Sequence, residues 1–237
     1  MLSFIIPAHD EAPLIDATIR AIHAAAREAH VTYEVIVVDD ASSDRTGEVA
    51  GAAGARVVRV EVRQIAAARN AGAAIAQGDT LVFVDADTLV NPAVIRGVMA
   101  ARNAGAVGGG AAVAVDDPTP RYVKWMMPVV VFSFRRLRWA AGCFLYCSRV
   151  AFNAVKGFDE KLFVSEEIAL SRALHKHGKF IVLKESVVTS GRKLRTYSGK
   201  EMFGTFVRIG LGGRGALRDR RVLGMWYGPR REDPTRH

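Results

Sequence analysis

Two carboxylates one residue apart, Asp85 and Asp87, follow the strand-forming run 80–84 in TLVFVDADTLV (80–90). Carboxylate oxygens at a strand tip suit a hard divalent cation, Mg2+ or Mn2+, and leave coordination positions open for phosphate oxygens. A cation held there would neutralise charge building on a departing diphosphate, a Lewis-acid role that needs no proton. An isolated Asp-x-Asp is a weak signal. Further acids fall in PAHDE (7–11), in DDASSD (39–44) and in the pair Glu166-Glu167 of SEEIALSRAL (165–174). That pair can supply a general base, or it can simply favour a helix N-terminus. Asp44 before RTGEVA and Asn91 before PAVIRG read as helix caps. Capping does not account for Asp39, Asp40, Asp85 and Asp87, which sit at strand tips, where repelling carboxylates need a cation or hydrogen-bond donors.

The elements that must position these groups alternate. Apolar β-branched runs are followed by alanine-rich helical segments up to about residue 115: LSFIIP then 14–29, YEVIVVDD then 46–54, ARVVRVEV then 65–77, LVFVDAD then 92–104. Continuous apolar strands joined by helices predict an α/β doubly wound, mostly parallel sheet covered on both faces. In such sheets ligands bind beyond the carboxyl ends of the strands, so the three acidic clusters should converge on one edge. After 115 the alternation weakens. Residues 143–147 read as a strand, and 165–179 as a helix with acids at its start, basic residues at its end and Gly178 as terminator. His175 and His177 do not share a helix face and read as partners of its C-terminal dipole rather than metal ligands.

With 237 residues, half of them hydrophobic, the chain can bury a substantial core as one domain. Its two cysteines, Cys143 and Cys147, are four apart; at strand spacing they share a face and read as buried thiols in a reducing, cytosolic setting. No basic leader precedes the first strand and no window holds 18 apolar residues in a row, so neither secretion nor a membrane span is expected. The net charge of +9 is concentrated in RYVKWMMPVVVFSFRRLRW (121–139) and in the tail 208–231. Nucleic acid, anionic lipid and phosphate-bearing small molecules are all compatible with it. The apolar run 125–134 is too short to span a bilayer; it fits a helix that covers the core or gates an acceptor, or one that lies on a membrane surface.

Taken together, FIIPAHDE (4–11), VIVVDDASSDRT (35–46), AAARNAGAAIAQGDTLVFVDADT (66–88) and FNAVKGFDEKLFVSEEIALSRAL (152–174) resemble, in order and spacing, the family 2 glycosyltransferases of GT-A fold over residues 3–178. The resemblance implies an inverting, hexosyltransferase-type enzyme. It implies a UDP-, GDP- or dTDP-sugar donor, Mn2+ or Mg2+ as cofactor, and an unknown glycan or lipid-linked acceptor that offers a hydroxyl or a lipid phosphate. A single domain, 1–237, would comprise a nucleotide-sugar-binding half (1–115), an acceptor-side half (116–198) and a basic C-terminal segment (199–237). By the same resemblance Pro7, Ala8, His9 and Glu11 line the nucleotide pocket, Asp40 contacts the base with Asp39 beside it, and Arg69 approaches the base or the phosphates. Asp85 lies near the ribose, followed by Ala86, and Asp87 binds the metal with Asp85 as the second carboxylate. Glu167 is the base and Glu166 the fallback, because the family commonly shows Glu-Asp where this chain has Glu-Glu. Arg192, Lys193 and Arg195 in SGRKLRTYS (190–198) either close over the diphosphate as a lid or form a solvated turn. Processive members carry Gln-x-x-Arg-Trp and several membrane spans; this sequence shows neither, which implies one transfer per acceptor.

The enzyme is expected in the cytoplasm, or peripheral at the inner membrane face through 121–139. Three other readings compete. A nucleotide-sugar pyrophosphorylase would open with a glycine-rich phosphate loop, and IIPAHDE contains no glycine. A degenerate transferase-like domain with a binding or scaffolding role sits badly with intact Asp85, Asp87 and Glu167. A nucleic-acid binder is permitted by charge, but no recognised module is present, so no nucleic-acid partner is expected.

Overall fold

The computed structural model describes residues 1–118 and 121–197, together with 201, 204, 215 and 217–219. The Lys193 side chain and most of the basic segment 199–237 lie outside the described residues. Strands β1 (Leu2–Ala8), β2 (Tyr33–Asp40), β3 (Arg56–Val60) and β4 (Thr80–Val84) alternate with helices α1 (Ala12–Glu28), α2 (Thr46–Ala52) and α3 (Ile65–Ile75). Then come β5 (Thr88–Leu89), α4 (Pro92–Asn103), β6 (Ala106–Val115), α5 (Arg121–Leu137), β7 (Phe144–Ser148), α6 (Arg149–Ala154), α7 (Glu166–His175), β8 (Lys179–Thr189) and α8 (Arg192–Thr196). The strands form one sheet in the order β3-β2-β1-β4-β7-β6-β8-β5. Within it β7 runs antiparallel to β4 and β6, β5 antiparallel to β8, and every other pair is parallel. This is the mostly parallel, doubly wound sheet that the alternation predicts.

Period-two alternation puts one core on each face of the sheet. Leu2, Phe4 and Ile6 of β1 pack with Ile15, Ile19 and Ile22 of α1 and with Val94 and Val98 of α4. Ile5 faces the other way, with Ile36, Val38, Phe83 and the small residues of α3. Each fully buried branched or aromatic side chain contributes roughly 1.5–3 kcal/mol. Helix α3 lies close to the sheet because its inner residues are small: a Cβ on Gly72 would stand 2.5 Å from Ile5 Cγ2 and 2.9 Å from Val38 Cγ2. That approach carries Arg69, on the preceding turn, to the strand tips.

Asn91 caps α4 as expected, its side chain accepting from Val94 N at 3.1 Å. For α2 the capping position is Arg45 rather than Asp44, although Asp44 still accepts from Thr46 N at 2.9 Å. The shared face expected of the cysteines is corrected as well. Cys143 precedes β7 instead of lying in it, so the strand period does not reach it; it packs against the α1 and α4 core, while Cys147 lies in the other. Both are free thiols.

The carboxyl ends of β1, β2, β4, β6 and β8 open on one edge. Because β7 is reversed, its entry residues Gly142 and Cys143 arrive at that same edge, where Asp85 N donates to the Cys143 carbonyl at 3.1 Å.

Candidate active site

Arg69 is the hub. Its residue is 1% exposed, and its guanidinium donates to Glu166 Oε1 at 2.7 Å, to Asp85 Oδ1 at 2.9 Å and to the Gly142 carbonyl at 2.8 Å. The group also lies 5.2 Å from the centroid of the Phe158 ring. One cation thus joins the tip of β4, the entry to β7 and the first turn of α7. Burial alone would disfavour its charge, but Asp85, Glu166 and Glu167 more than offset that and raise its pKa. The acids around it outnumber it. Burial lifts the Glu166 carboxyl above the ordinary carboxylate range despite the pull of Arg69. Burial, and next the Glu166 charge, pushes Glu167 up to about 8. A Cβ on Gly142 would stand 3.5 Å from the Glu167 carboxyl carbon, so the glycine leaves room beside this group.

The Asp85-Ala86-Asp87 turn is pinned by three other elements. The Ala86 carbonyl accepts from Thr18 Oγ1 of α1 at 2.9 Å, and the Asp87 carbonyl accepts from Ser190 N, beyond β8, at 3.1 Å; the segment entering β7 supplies the Cys143 contact already described. Ala86 is buried. Asp87 Oδ1 receives long contacts from Thr189 Oγ1 at 3.3 Å and Thr88 Oγ1 at 3.5 Å. A cavity of about 80 Å³ opens beside it, lined by Thr18, Asp116, Thr189 and Ser190 among others. Among the described residues no group of three or more His, Cys, Asp or Glu is arranged to hold a metal. Asp85, whose Oδ1 is bonded to Arg69, and Asp87 are carboxylates of the kind that suits a hard cation sharing its shell with phosphate and water oxygens. Their field is felt nearby: after burial, the charges of Asp85 and Asp87 are what raise the Cys143 thiol well above its ordinary value.

The first two acidic clusters meet at the other end of the edge. Asp40, buried, accepts from Val62 N at 2.8 Å and Arg63 N at 2.7 Å on Oδ1, and from Gln64 N at 2.9 Å on Oδ2. His9 bridges the Asp40 carbonyl through Nδ1 at 2.8 Å and Arg63 Nη1 through Nε2 at 2.8 Å. The same Nε2 lies 3.3 Å from Asp10 Oδ2. Asp39 accepts from Ser42 N at 3.1 Å and lies 3.9 Å from the Arg59 guanidinium. Pro7 and Ala8 are buried at the end of β1. Glu11, 5% exposed, takes a two-pronged hydrogen bond from Arg192 at 2.9 and 3.1 Å, and Arg195 pairs with Asp116 at 2.8 Å. The 192–195 stretch is therefore no solvated turn: α8 is strapped to buried Glu11 and to part-exposed Asp116 at the site edge.

Arg69, Asp85 and Glu166 converge directly, with Glu167 beside them; His9 with Asp40, and Glu11 with Arg192, form separate contacts along the same edge. Sequence reasoning did not find Gly142, Arg63, Thr18 or Asp116. The first comes with a reversed strand inserted between β4 and β6, and the others act through contacts with residues far away in sequence, which leave no periodic signal.

Residues 3–160 match the family model described as Glycosyl transferase family 2. The Succinoglycan biosynthesis protein ExoO of Rhizobium meliloti (strain 1021) is 34% identical over 120 residues, 49% of this chain and 32% of that protein. The Validoxylamine A glucosyltransferase of Streptomyces hygroscopicus subsp. jinggangensis (strain 5008) is 35% identical over 107 residues, 43% of this chain and 25% of that protein. The chain thus spans a third or less of the length of these relatives. Among solved structures, the mannosyltransferase PcManGT from Pyrobaculum calidifontis, in complex with GDP-Man and Mn2+, superposes with a TM-score of 0.67 at 18% identity, covering 95% of this chain and 68% of that one. S. aureus TarS 1–349 in complex with UDP gives 0.63 at 15% identity, covering 95% and 69%. At these identities the likeness is one of fold.

Proposed function

The chain belongs to glycosyl transferase family 2, and from that premise we propose that it is a metal-dependent, inverting glycosyltransferase. It moves one hexose from a UDP-, GDP- or dTDP-sugar to a hydroxyl or lipid phosphate on a glycan or lipid-linked acceptor. The observation that carries this reading is the Arg69 cluster. One buried guanidinium ties Asp85, at the donor edge, to Glu166 at the start of α7, next to a Glu167 carboxyl held up to about 8.

Glu167 takes the proton of the acceptor hydroxyl as its oxygen bonds to the anomeric carbon. The bond from that carbon to the diphosphate oxygen breaks, its electron pair leaves with the nucleoside diphosphate, and the configuration inverts. Glu166 is the poorer base because its charge is committed to Arg69 at 2.7 Å. Asp87, with Asp85 second, would hold Mn2+ or Mg2+, which when bound neutralises charge on the departing diphosphate. Three of the roughly four acceptor positions of the Asp40 carboxylate are filled by backbone N–H groups. The position on Oδ2 that no donor fills among the described residues suits the ring N–H that uracil, thymine and guanine all carry. His9, Glu11, Pro7, Ala8 and Asp39 then form the pocket wall, and Arg192 and Arg195, held by Glu11 and Asp116, are the basic groups that would stabilise the departing diphosphate. GDP-Man and UDP in the complexes of the fold neighbours support a nucleotide-sugar donor. The enzyme works in the cytoplasm or peripherally at the inner face of a membrane.

The deciding experiment is thermal unfolding against nucleotides and nucleotide sugars, with and without Mn2+, for the parent and Asp87→Ala. A ligand at about 100 times its Kd adds about 2.7 kcal/mol, roughly 5–10 °C for a chain of this size. A metal-dependent shift with one base, lost in Asp87→Ala, is the expected result; no shift with any donor would overturn the reading.

A further inference from the structure

Helix α5 carries two apolar faces. Val123 is 1% exposed, and Val131 and Phe134 line an apolar cavity with Ala111, Val113 and Val182 of the sheet. On the opposite side Trp125 is 84% exposed, Val129 63% and Phe132 68%. At 3.6 residues per turn, positions 125, 129, 132 and 136 fall in one stripe about 60° wide along the helix. The stripe ends in exposed Arg136, flanked by exposed Arg135 and Arg138, and 121–139 contains no acidic residue. A helix facing only water puts polar side chains on this side; contiguous exposed apolar surface marks an interaction site.

We propose that the outer face of α5 docks in the plane of an anionic lipid bilayer, with Trp125, Val129 and Phe132 at the boundary of headgroups and acyl chains and Arg135, Arg136 and Arg138 on lipid phosphates. Three features select this occupant. The helix has 17 residues, about 25 Å, less than the roughly 30 Å hydrocarbon core, and Arg136 continues the stripe with Arg135 and Arg138 beside it, so it lies in the interface and does not cross. Tryptophan, with an apolar ring and one N–H donor, favours that boundary. A segment with basic and no acidic side chains complements anionic lipid, whereas a second copy of a chain of charge +9 would bring like charge to like, which disfavours association. The inference deepens the peripheral placement proposed above and does not depend on the transfer chemistry.

The test is sedimentation of the full chain with vesicles of phosphatidylcholine alone and of phosphatidylcholine with about one-third phosphatidylglycerol. The parent should pellet with the anionic vesicles at low salt and little with the neutral ones. Phe132→Asp should weaken partitioning at least tenfold. Arg135→Ala with Arg136→Ala should weaken it by roughly fivefold per arginine, and added salt should act in the same direction. Nucleotide-induced thermal shifts should persist in these variants, whose changes lie on the outer face. Equal sedimentation of the parent and Phe132→Asp, or none of the parent, overturns the proposal. So does a lipid-free parent dimer that becomes monomeric in Phe132→Asp, which would assign the face to a second copy. Vesicle binding without any nucleotide shift would overturn the transfer reading alone, and a nucleotide shift without vesicle binding the docking alone.

Discussion

Helices α3 and α5 break the ordinary inside-outside rule in opposite directions. On α3 a guanidinium is buried among alanines; on α5 a tryptophan and a phenylalanine stand in solvent. The difference lies in what meets each inverted residue. Arg69 finds two carboxylates and a carbonyl within 2.9 Å of its two terminal nitrogens, so most of its lost hydration is replaced, while its buried Nε makes no hydrogen bond. Trp125 and Phe132 find no such cover among the described residues, and their exposure is the basis of the lipid proposal. A polar residue inside is settled by its partners, an apolar residue outside only by something beyond the chain.

The widest gap between the helices comes from removing Arg69. Arg69→Leu keeps the helix but leaves buried Glu166 and part-buried Asp85 without their shared cation, at a cost of about 3–5 kcal/mol, or roughly 10 °C in Tm. Arg69→Lys keeps the charge, loses the fork and should fall between. A Leu variant that melts with the parent would make the hub a bystander. Next in size is Glu167→Gln. Losing a positioned general base lowers turnover by about 10²–10⁴-fold, with the nucleotide-induced thermal shift retained. In the parent, kcat/KM should climb with pH to a plateau above about 8, the apparent constant belonging to the Glu166 and Glu167 pair. Undiminished turnover in Glu167→Gln would remove its assignment as base.

The same elevated carboxyl has a stability signature. Its native pKa lies above the ordinary value of 4.5, so between about 4.5 and 8 the folded chain binds more protons than the unfolded one. The contribution is fully present below that window, and stability falls as pH rises through it. Urea unfolding at pH 5, 6, 7 and 8 should show a negative slope that flattens in Glu167→Gln. An unchanged slope would locate the proton elsewhere.

Legibility in the sequence followed the range of the interactions. The alternation of strands and helices gave the parallel sheet, and the position of Asp85, Asp87 and Asp40 at strand tips gave their common edge, because both depend on local periodicity and on a connection rule. The residues that complete the edge depend on pairing over long separations. Reversed β7 sits opposite β4, bringing in Gly142 and Cys143, and nothing in 142–148 names its neighbour. The same limit explains Cys143, whose face the strand period assigns only if the strand reaches it. Burial of Arg69 was equally hidden, since an arginine in an alanine helix reads the same whether it points to water or to two acids.

The smallest effect tests the two faces of α5 against each other without lipid. Val123→Ala removes two carbons from a side chain 1% exposed and should cost about 1–3 kcal/mol through lost burial and an unfilled gap. Phe132→Asp changes far more atoms, yet its side chain already contacts water in the native state as it does in the unfolded one. Transfer between two hydrated states contributes little, and a surface change of this kind should stay within about 0.5 kcal/mol. Thermal unfolding of the two variants beside the parent checks this ordering. If Phe132→Asp proved the costlier, the outer stripe would be held by the protein's own fold, and the contrast between α3 and α5 would reduce to two helices that each cover a core.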